Sequence, residues 1–413
     1  MIGAIPFRGD GRDDWRERAA DAIPGGSSTG SKRPDVLYGT RATDRELPSH
    51  FERAEGCTLW APDGRRYVDL SMALGAVAVG YADGAVTRAV QDAAAAGIVT
   101  GLPHRLEVEV AERLIDLVPC AEQVRFLRTG AEATAAAVRI ARTATGRSHV
   151  IGCGYFGWLD WCSDAAGVPD GVRRDFTSVP FDDVPAMTAA VAAHAGDLAA
   201  VIVEPLVHEI ASVEWLSAIR RECDRVGAVM IMDEIKTAFR IRTGGVQELL
   251  HVSPDLATLG KAMANGFPLA AVVGRAAIMG AATRTWISST AAAEASGLAA
   301  ARAVCDWHDR VDIPARLVAA GTELRDLVAA SLHESPWTGV TAQGPAAMWR
   351  LVAEVPEQLD AFVACAAREG ALFKRGAYQF AALAHDAKAI DKVRAAMTVV
   401  VRSLVPGPRR TEA

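Results

Sequence analysis

From about Leu106 the chain alternates short apolar runs with longer amphipathic ones, and this alternation narrows the possible folds more than any other feature. "EVEVAERLIDLV", "GAEATAAAVRIARTAT" and "WLSAIRRECDRVG" read as helices, while "QVRFLR", "SHVIGCG", "LAAVIVEPLV" and "AVMIMDEI" read as strands. The strands are apolar almost throughout, the pattern of a sheet buried on both faces. Strands separated by helices join in parallel, so the expected fold is α/β: a mostly parallel sheet covered by helices. After about Ala300 the pattern changes to long helices ("SGLAAARAVCDWHDR", "IPARLVAAGTELRDLVAASLH"), then short strands and a last helix, "AIDKVRAAMTVVVRSL". That reads as a smaller α+β domain. The N-terminal part reads as a short helix from about Asp13 to Ala22, a polar loop "PGGSSTGSKR", and a hairpin in "TLWAPDGRRYVDLS" turning at Asp63-Gly64. The expected division is an N-terminal segment (1–65) joining the small domain, a large domain (66–300) and a C-terminal small domain (301–413). A length of 413 residues suits two domains.

Charge and cysteine usage exclude several partner classes. A net charge of −6 and a pI near 5.9 argue against nucleic acid and against an anionic membrane surface. Seven cysteines stand at 57, 120, 153, 162, 223, 305 and 365, with no CxxC pair. That odd, scattered set fits reduced thiols in the cytoplasm, not a disulfide framework or a metal site. The first residues lack a long apolar stretch, so no signal peptide is read, and the longest apolar runs are of strand length, too short to span a membrane.

Lysine is scarce, with only six, at 32, 236, 261, 374, 388 and 392. Lys261 follows Gly260 in "DLATLGKAMANGFPLAAVVG", otherwise uncharged after its first residue. Desolvation there lowers the pKa and frees the nucleophilic neutral amine. In open α/β sheets, ligands bind beyond the carboxyl ends of the strands. Four such ends carry polar or special groups: Thr129-Gly130, Gly154-Tyr155, Glu204-Pro205 and Asp233-Glu234. Taken singly, each has a plainer role as helix start, packing aromatic, cap or ion-pair partner. Taken together they form a set. A glycine at a helix start can cradle a phosphate. A buried aspartate can keep a pyridine nitrogen protonated, a lysine can form a Schiff base, and an aromatic ring can stack on a flat one. These are the parts needed to hold pyridoxal 5′-phosphate.

Over roughly residues 24 to 405 the chain resembles the class III, fold-type I aminotransferases, nearest the glutamate-1-semialdehyde aminomutase branch. The resemblance runs through "PGGSSTGSKR", "LWAPDGRRYVDLSMALGAVAVGY", "RFLRTGAEATAAAVRIARTATGR", "GYFGWLD", "VIVEPL", "DEIKTAFR", "PDLATLGKAMANGFPLAAVVGR" and "GAYQFAALAHDAKAID". It implies a large domain with a seven-stranded-type sheet, pyridoxal phosphate as cofactor, and amino transfer from a small-molecule donor to a carbonyl acceptor. It implies that Lys261 forms the Schiff base, Asp233 partners the pyridine nitrogen, Ile235 packs under the ring and Tyr155 stacks on it. Thr129, Gly130 and Ala131 match the phosphate loop, and Glu204 matches the acid beside the cofactor. Thr290, in "ISSTAAAEASG", matches a threonine that reaches the phosphate from the neighbouring subunit of a homodimer.

Three positions depart from the family pattern: Ala131 for a hydroxyl residue, Phe156 for histidine, and Tyr81 after Gly80 for histidine. They bear against aminomutase activity itself. "DEIK" and "KAMANG" are similar to segments of aminotransferases in aminoglycoside antibiotic pathways, which aminate an oxidised sugar carbon. In that reading Trp158 and Trp161 are candidates to stack on a sugar, with core or dimer packing as the alternative. Lys236 is the rival amine to Lys261, or else a lysine at the solvent or cleft edge. An aminomutase acting on a small amino aldehyde, or an epimerase using the same proton abstraction, remain alternatives. A cofactor-binding regulator without catalysis is disfavoured by the presence of Lys261, Asp233 and Glu204 together.

Overall fold

The computed structural model describes residues 15–333, 335 and 339–403. By contact the chain divides into a larger unit, Gly75–Val79 with Asp83–Val318, and a smaller one within Met1–Leu74, Gly80–Ala82 and Ala319–Ala413. The division thus falls at Leu74 and inside the helix Ile313–His333, where the sequence placed it at 65 and 300.

The larger unit is built on a seven-stranded sheet. Its order is Gln123–Leu127, Ala270–Gly274, Leu256–Leu259, Val229–Asp233, Leu198–Val203, His149–Cys153 and Phe176–Ser178. Pairing is parallel except at Ala270–Gly274, which is antiparallel to both neighbours. Five of these strands are buried at every position, as their unbroken apolar runs require. The helix Gly130–Thr145 lies on the sheet. Its small residues Ala133, Ala137 and Ala141 let it approach closely, and they share one core with Val150, Ile202, Ile231 and Val272. It stops where Gly146 turns left-handed at φ 69°.

The helix Ala295–Arg310, expected in the smaller domain from Ala300 onward, belongs to the larger unit. Its Ala295 and Ala299 cluster with Ala93 of the helix Gly84–Ala96. Helical periodicity shows which face is buried but not which element covers it.

The smaller unit has a four-stranded sheet in the order Arg53–Glu55, Thr58–Trp60, Arg66–Asp69, Ala371–Leu372. Thr58–Trp60 and Arg66–Asp69 pair antiparallel through the expected turn, in which Gly64 takes φ 84°. A three-stranded antiparallel sheet (Val340–Gln343, Met348–Ala353, Tyr378–Phe380) and the helices Pro356–Arg368 and Ala387–Ser403 complete it. The N-terminal helix runs Trp15–Ala22, and its expected start at Asp13 lies outside the described residues. "PGGSSTGSKR", expected to be a flexible loop, contains two short 3-10 turns, Pro24–Gly26 and Gly30–Lys32.

Candidate active site

The carboxyl ends of the central strands carry the candidate residues of the larger unit. Val229–Asp233 and Leu256–Leu259 run parallel, with Asp233 in register with Thr258. The Thr258 hydroxyl donates to Asp233 Oδ1 at 2.9 Å, and the Ile235 amide donates to the same oxygen at 3.0 Å. Neither engages Oδ2. Asp233 is buried, and burial pushes its carboxyl up. The Glu204 carboxylate pushes the same way, while the two donors and Lys261 pull down.

Lys261 opens the 3-10 turn Lys261–Ala264 just past the next strand. Its φ of 44° is left-handed, a conformation that costs a residue with a Cβ about 1–2 kcal/mol. Desolvation pushes its amine down from the ordinary lysine value, and the like charge of Lys236 adds to that, against the pull of Asp233 and Glu204. Asn265 closes the turn. Its Oδ1 accepts from the amides of Ala78 and Val79 at 3.0 and 3.1 Å. The fully buried Arg240 donates to the Gly75 carbonyl at 3.1 Å. The turn that carries Lys261 is therefore pinned, through Asn265, to a segment that Arg240 also holds.

Glu204 follows the strand Leu198–Val203 and is held at both oxygens. Oε1 pairs with Lys236 Nζ at 2.8 Å, and Oε2 accepts from the Tyr155 amide at 3.0 Å. Lys236 is thus not a solvent lysine: its side chain is 13% exposed and ion-paired. Gly154, at φ 135°, has to be glycine because a Cβ there would strike the Glu204 side chain.

Thr129 caps the helix Gly130–Thr145. Its hydroxyl accepts from the Glu132 amide at 3.2 Å, and Glu132 Oε2 accepts from the Thr129 amide at 2.9 Å. Ile235 presses on this helix start so closely that a Cβ on Gly130 would lie 2.8 Å from its Cδ1. Ala131 is packed against Gly157, and Thr134 donates to the Phe156 carbonyl at 2.7 Å, which ties the helix to the 154–157 turn.

Tyr155 and Trp158 are 71% and 74% exposed. Trp161 is not free to meet a sugar. Its ring stacks on Phe156 at 5.8 Å and meets Phe176 edge-on at 5.6 Å, as part of the core. Periodicity could not separate the two tryptophans, because they follow a strand in irregular backbone. Thr290 is exposed and lines a cleft of about 420 Å³ with Ile98, Leu102 and Arg125. None of Lys261, Asp233 and Glu204 lines that cleft.

Three residues escaped the sequence reading, Thr258, Asn265 and Arg240, and Glu234 was named there only as a polar strand end without a role. Glu234 is a latch that accepts from the Val246 and Gln247 amides at 2.9 Å each. Of the three that escaped, Thr258 left a signal, as the single hydroxyl in the apolar strand "LATL". The donor set suits pyridoxal 5′-phosphate: a desolvated amine, a buried carboxyl whose described donors both reach one oxygen, and a capped helix start with an aliphatic side chain against its glycine.

Comparison with known proteins agrees. Residues 40–377 match the family model for aminotransferase class III. The glutamate-1-semialdehyde 2,1-aminomutases of Bordetella avium and Rhodopirellula baltica are 38% and 37% identical over 283 and 282 residues, 64% of this chain in each case. Those matches cover 64% and 63% of the relatives' own lengths, under two thirds. The FumI protein of Sphingopyxis sp. MTA144, solved in its PLP internal aldimine form, superposes with a TM-score of 0.89 at 26% identity, over 96% of each chain. An omega-transaminase from Sphaerobacter thermophilus superposes with a TM-score of 0.83 at 23% identity, over 94% of this chain and 96% of that one, and shows the fold alone. A seven-stranded sheet of this order, with these residues at its strand ends and a family match across most of the chain, places it among the class III aminotransferases, a family that uses pyridoxal phosphate.

Proposed function

We propose that the protein is a pyridoxal-phosphate aminotransferase that moves an amino group from an amino donor to the carbonyl of a polar small molecule. The observation that carries this is the pairing of a desolvated Lys261 amine with a buried Asp233 carboxyl at adjacent strand ends. Lys261 would hold the cofactor covalently, and Asp233 Oδ2 would face its ring nitrogen. Ile235 and Tyr155 would pack on the ring, with Thr129, Gly130 and Ala131 at its phosphate. When bound, pyridoxal phosphate supplies an electron sink for charge developing on the substrate carbon.

The chain's own residues do the rest. The neutral Lys261 amine takes a proton from the substrate carbon and returns it from its ammonium form, and lowered basicity suits both directions. Lys236 helps keep that basicity low, and Glu204 holds Lys236 in place. Thr258 and the Ile235 amide fix Asp233 so that its free oxygen needs no reorganisation.

The protein would act as a homodimer, with Thr290 serving the neighbouring site. Exposed Leu102 in the cleft lined by Thr290, and exposed Trp286 beside it, support this. Seven free thiols support a cytoplasmic setting. For the acceptor, exposed Trp158 supports an oxidised aminosugar. The two aminomutase relatives favour a second reading, amino exchange within one small amino aldehyde. One assay separates them: a panel of amino donors with and without oxidised aminosugars, following cofactor spectrum and keto-product release. Keto product with an aminated sugar supports transfer. Conversion of glutamate 1-semialdehyde without keto product supports the mutase. Silence towards every donor overturns both.

A further inference from the structure

We infer that Asn265 is a positioning residue for Lys261: with Arg240 behind it, it holds the turn Lys261–Ala264 in a strained conformation that aims the amine. The inference rests on the reading of Lys261 as the amine that meets the cofactor. Every contact it uses lies inside the larger unit.

Backbone strain gathers around this turn. Nine described residues with a Cβ take a left-handed φ. Six of them are Met72, Ala73, Leu74, Phe239, Lys261 and Asn265, which lie in or beside the three stretches that Asn265 and Arg240 join. Such conformations are costly, persist only where the surroundings enforce them, and cluster at functional sites. Lys261 at φ 44° and Asn265 at φ 46° bracket the turn. Asparagine tolerates that region and lysine does not. Without restraint, Lys261 would return to negative φ. That swings its Cα–Cβ bond and carries the amine out of its place.

The restraint is the side chain at the far end of the turn. Asn265 Oδ1 accepts from the Ala78 and Val79 amides together, and all three residues are buried. Two donors on one oxygen fix its direction as well as its distance. Gly266, at φ 92°, brings the chain so near that a Cβ there would lie 3.0 Å from Val77 Cγ2. Arg240 holds the same segment by its carbonyls, donating through Nη2 to Gly75 at 3.1 Å and Val77 at 3.4 Å. Its charge also lowers the basicity of Lys261. A residue needed only for its left-handed backbone could be glycine. The two amides make the difference, because without the Asn265 oxygen they lose a buried acceptor and the turn must shift.

The test compares the parent with Asn265→Gly and Asn265→Asp, each as the full-length protein freed of its cofactor. Trace acetylation with acetic anhydride, read by mass on the Lys261 peptide, gives the titration of the amine. Added pyridoxal 5′-phosphate, followed by absorbance and located by borohydride reduction, gives its rate of capture. Asn265→Gly leaves the backbone able to turn left-handed and removes only the acceptor. Its titration midpoint should move up towards the ordinary lysine value, and capture at neutral pH should slow about tenfold. Asn265→Asp keeps an acceptor for both amides and should capture at close to the parent's rate. A glycine variant whose urea midpoint falls while titration and capture match the parent's has lost structure alone, and overturns the positioning role. If the glycine variant does not fold, the aspartate variant decides: capture slowed about tenfold in a folded Asn265→Asp overturns the role. A parent adduct on a lysine other than Lys261 overturns the reading of Lys261 itself, and the role of Asn265 with it.

Discussion

Single side chains decide the chemistry here. Lys261→Ala should abolish turnover and covalent cofactor retention, read by borohydride reduction and peptide mass. Lys236→Ala should keep the adduct on Lys261 but, with the like charge gone, move the acidic limb of the pH–rate profile, where the base takes up its proton, to higher pH. The reverse pattern of adducts would exchange the two lysines' roles. Asp233→Ala should lower the rate about 100-fold or more. Thr258→Val, which removes one donor to the same carboxylate, should lower it about tenfold. Near-normal rates in both would leave Asp233 without its role. Lys374 makes a stability prediction. Burial and Arg375 push its pKa down to about 8 from an ordinary 10.5. Between those values the unfolded chain binds more protons, so stability rises with pH across that window, by up to about 3 kcal/mol. Urea midpoints of Lys374→Met should lack that increment, and parallel curves for variant and parent would refute it. Lys261 and Asp233 stood out in the sequence because charged groups are rare in apolar runs. Lys236 did not reveal its ion pair, because its partner Glu204 lies far away in sequence and only the parallel sheet brings the two strand ends together.

Elements were legible where period and length agree. The fully apolar strands and the helix Gly130–Thr145 could be read directly, since glycine and a capping threonine mark its start and Gly146 its end. The helix Ala295–Arg310 was recognised as a helix but expected in the wrong unit, because an alanine face packs equally well on many surfaces. Two glycines separate site from scaffold. Gly130→Ala would meet only the tip of the Ile235 side chain, which can move. Cofactor loss on dialysis should rise about tenfold while the unfolding midpoint stays put. Gly321→Ala, in the helix Ile313–His333, would run into the carbonyl of Ala346, which is main chain and cannot swing aside. It should destabilise the protein by about 1–3 kcal/mol in urea titrations. If the first variant lost stability and the second did not, Gly130 would be scaffold and not part of the site.

At the scale of the whole molecule, the proposed assembly is tested by mixing. Light scattering should give a dimer, and Thr290→Ala alone should be weak at limiting cofactor. Co-expressed with Lys261→Ala, it should recover activity, because one site of each mixed dimer then has both a sound lysine and a sound threonine. No recovery would confine Thr290 to its own chain. The sheet order has a further consequence, for how the chain is made. Gln123–Leu127 sits at the sheet edge and, among the described residues, pairs only with Ala270–Gly274, the last strand of the seven to leave the ribosome. At roughly 5–20 residues per second it waits on the order of ten seconds for that partner. Until then its unpaired edge is a template for other nascent chains. Synonymous slow codons between the two strands should therefore lower soluble yield while leaving every purified molecule identical, so the timing of synthesis, as well as the sequence, governs how much active protein a cell obtains.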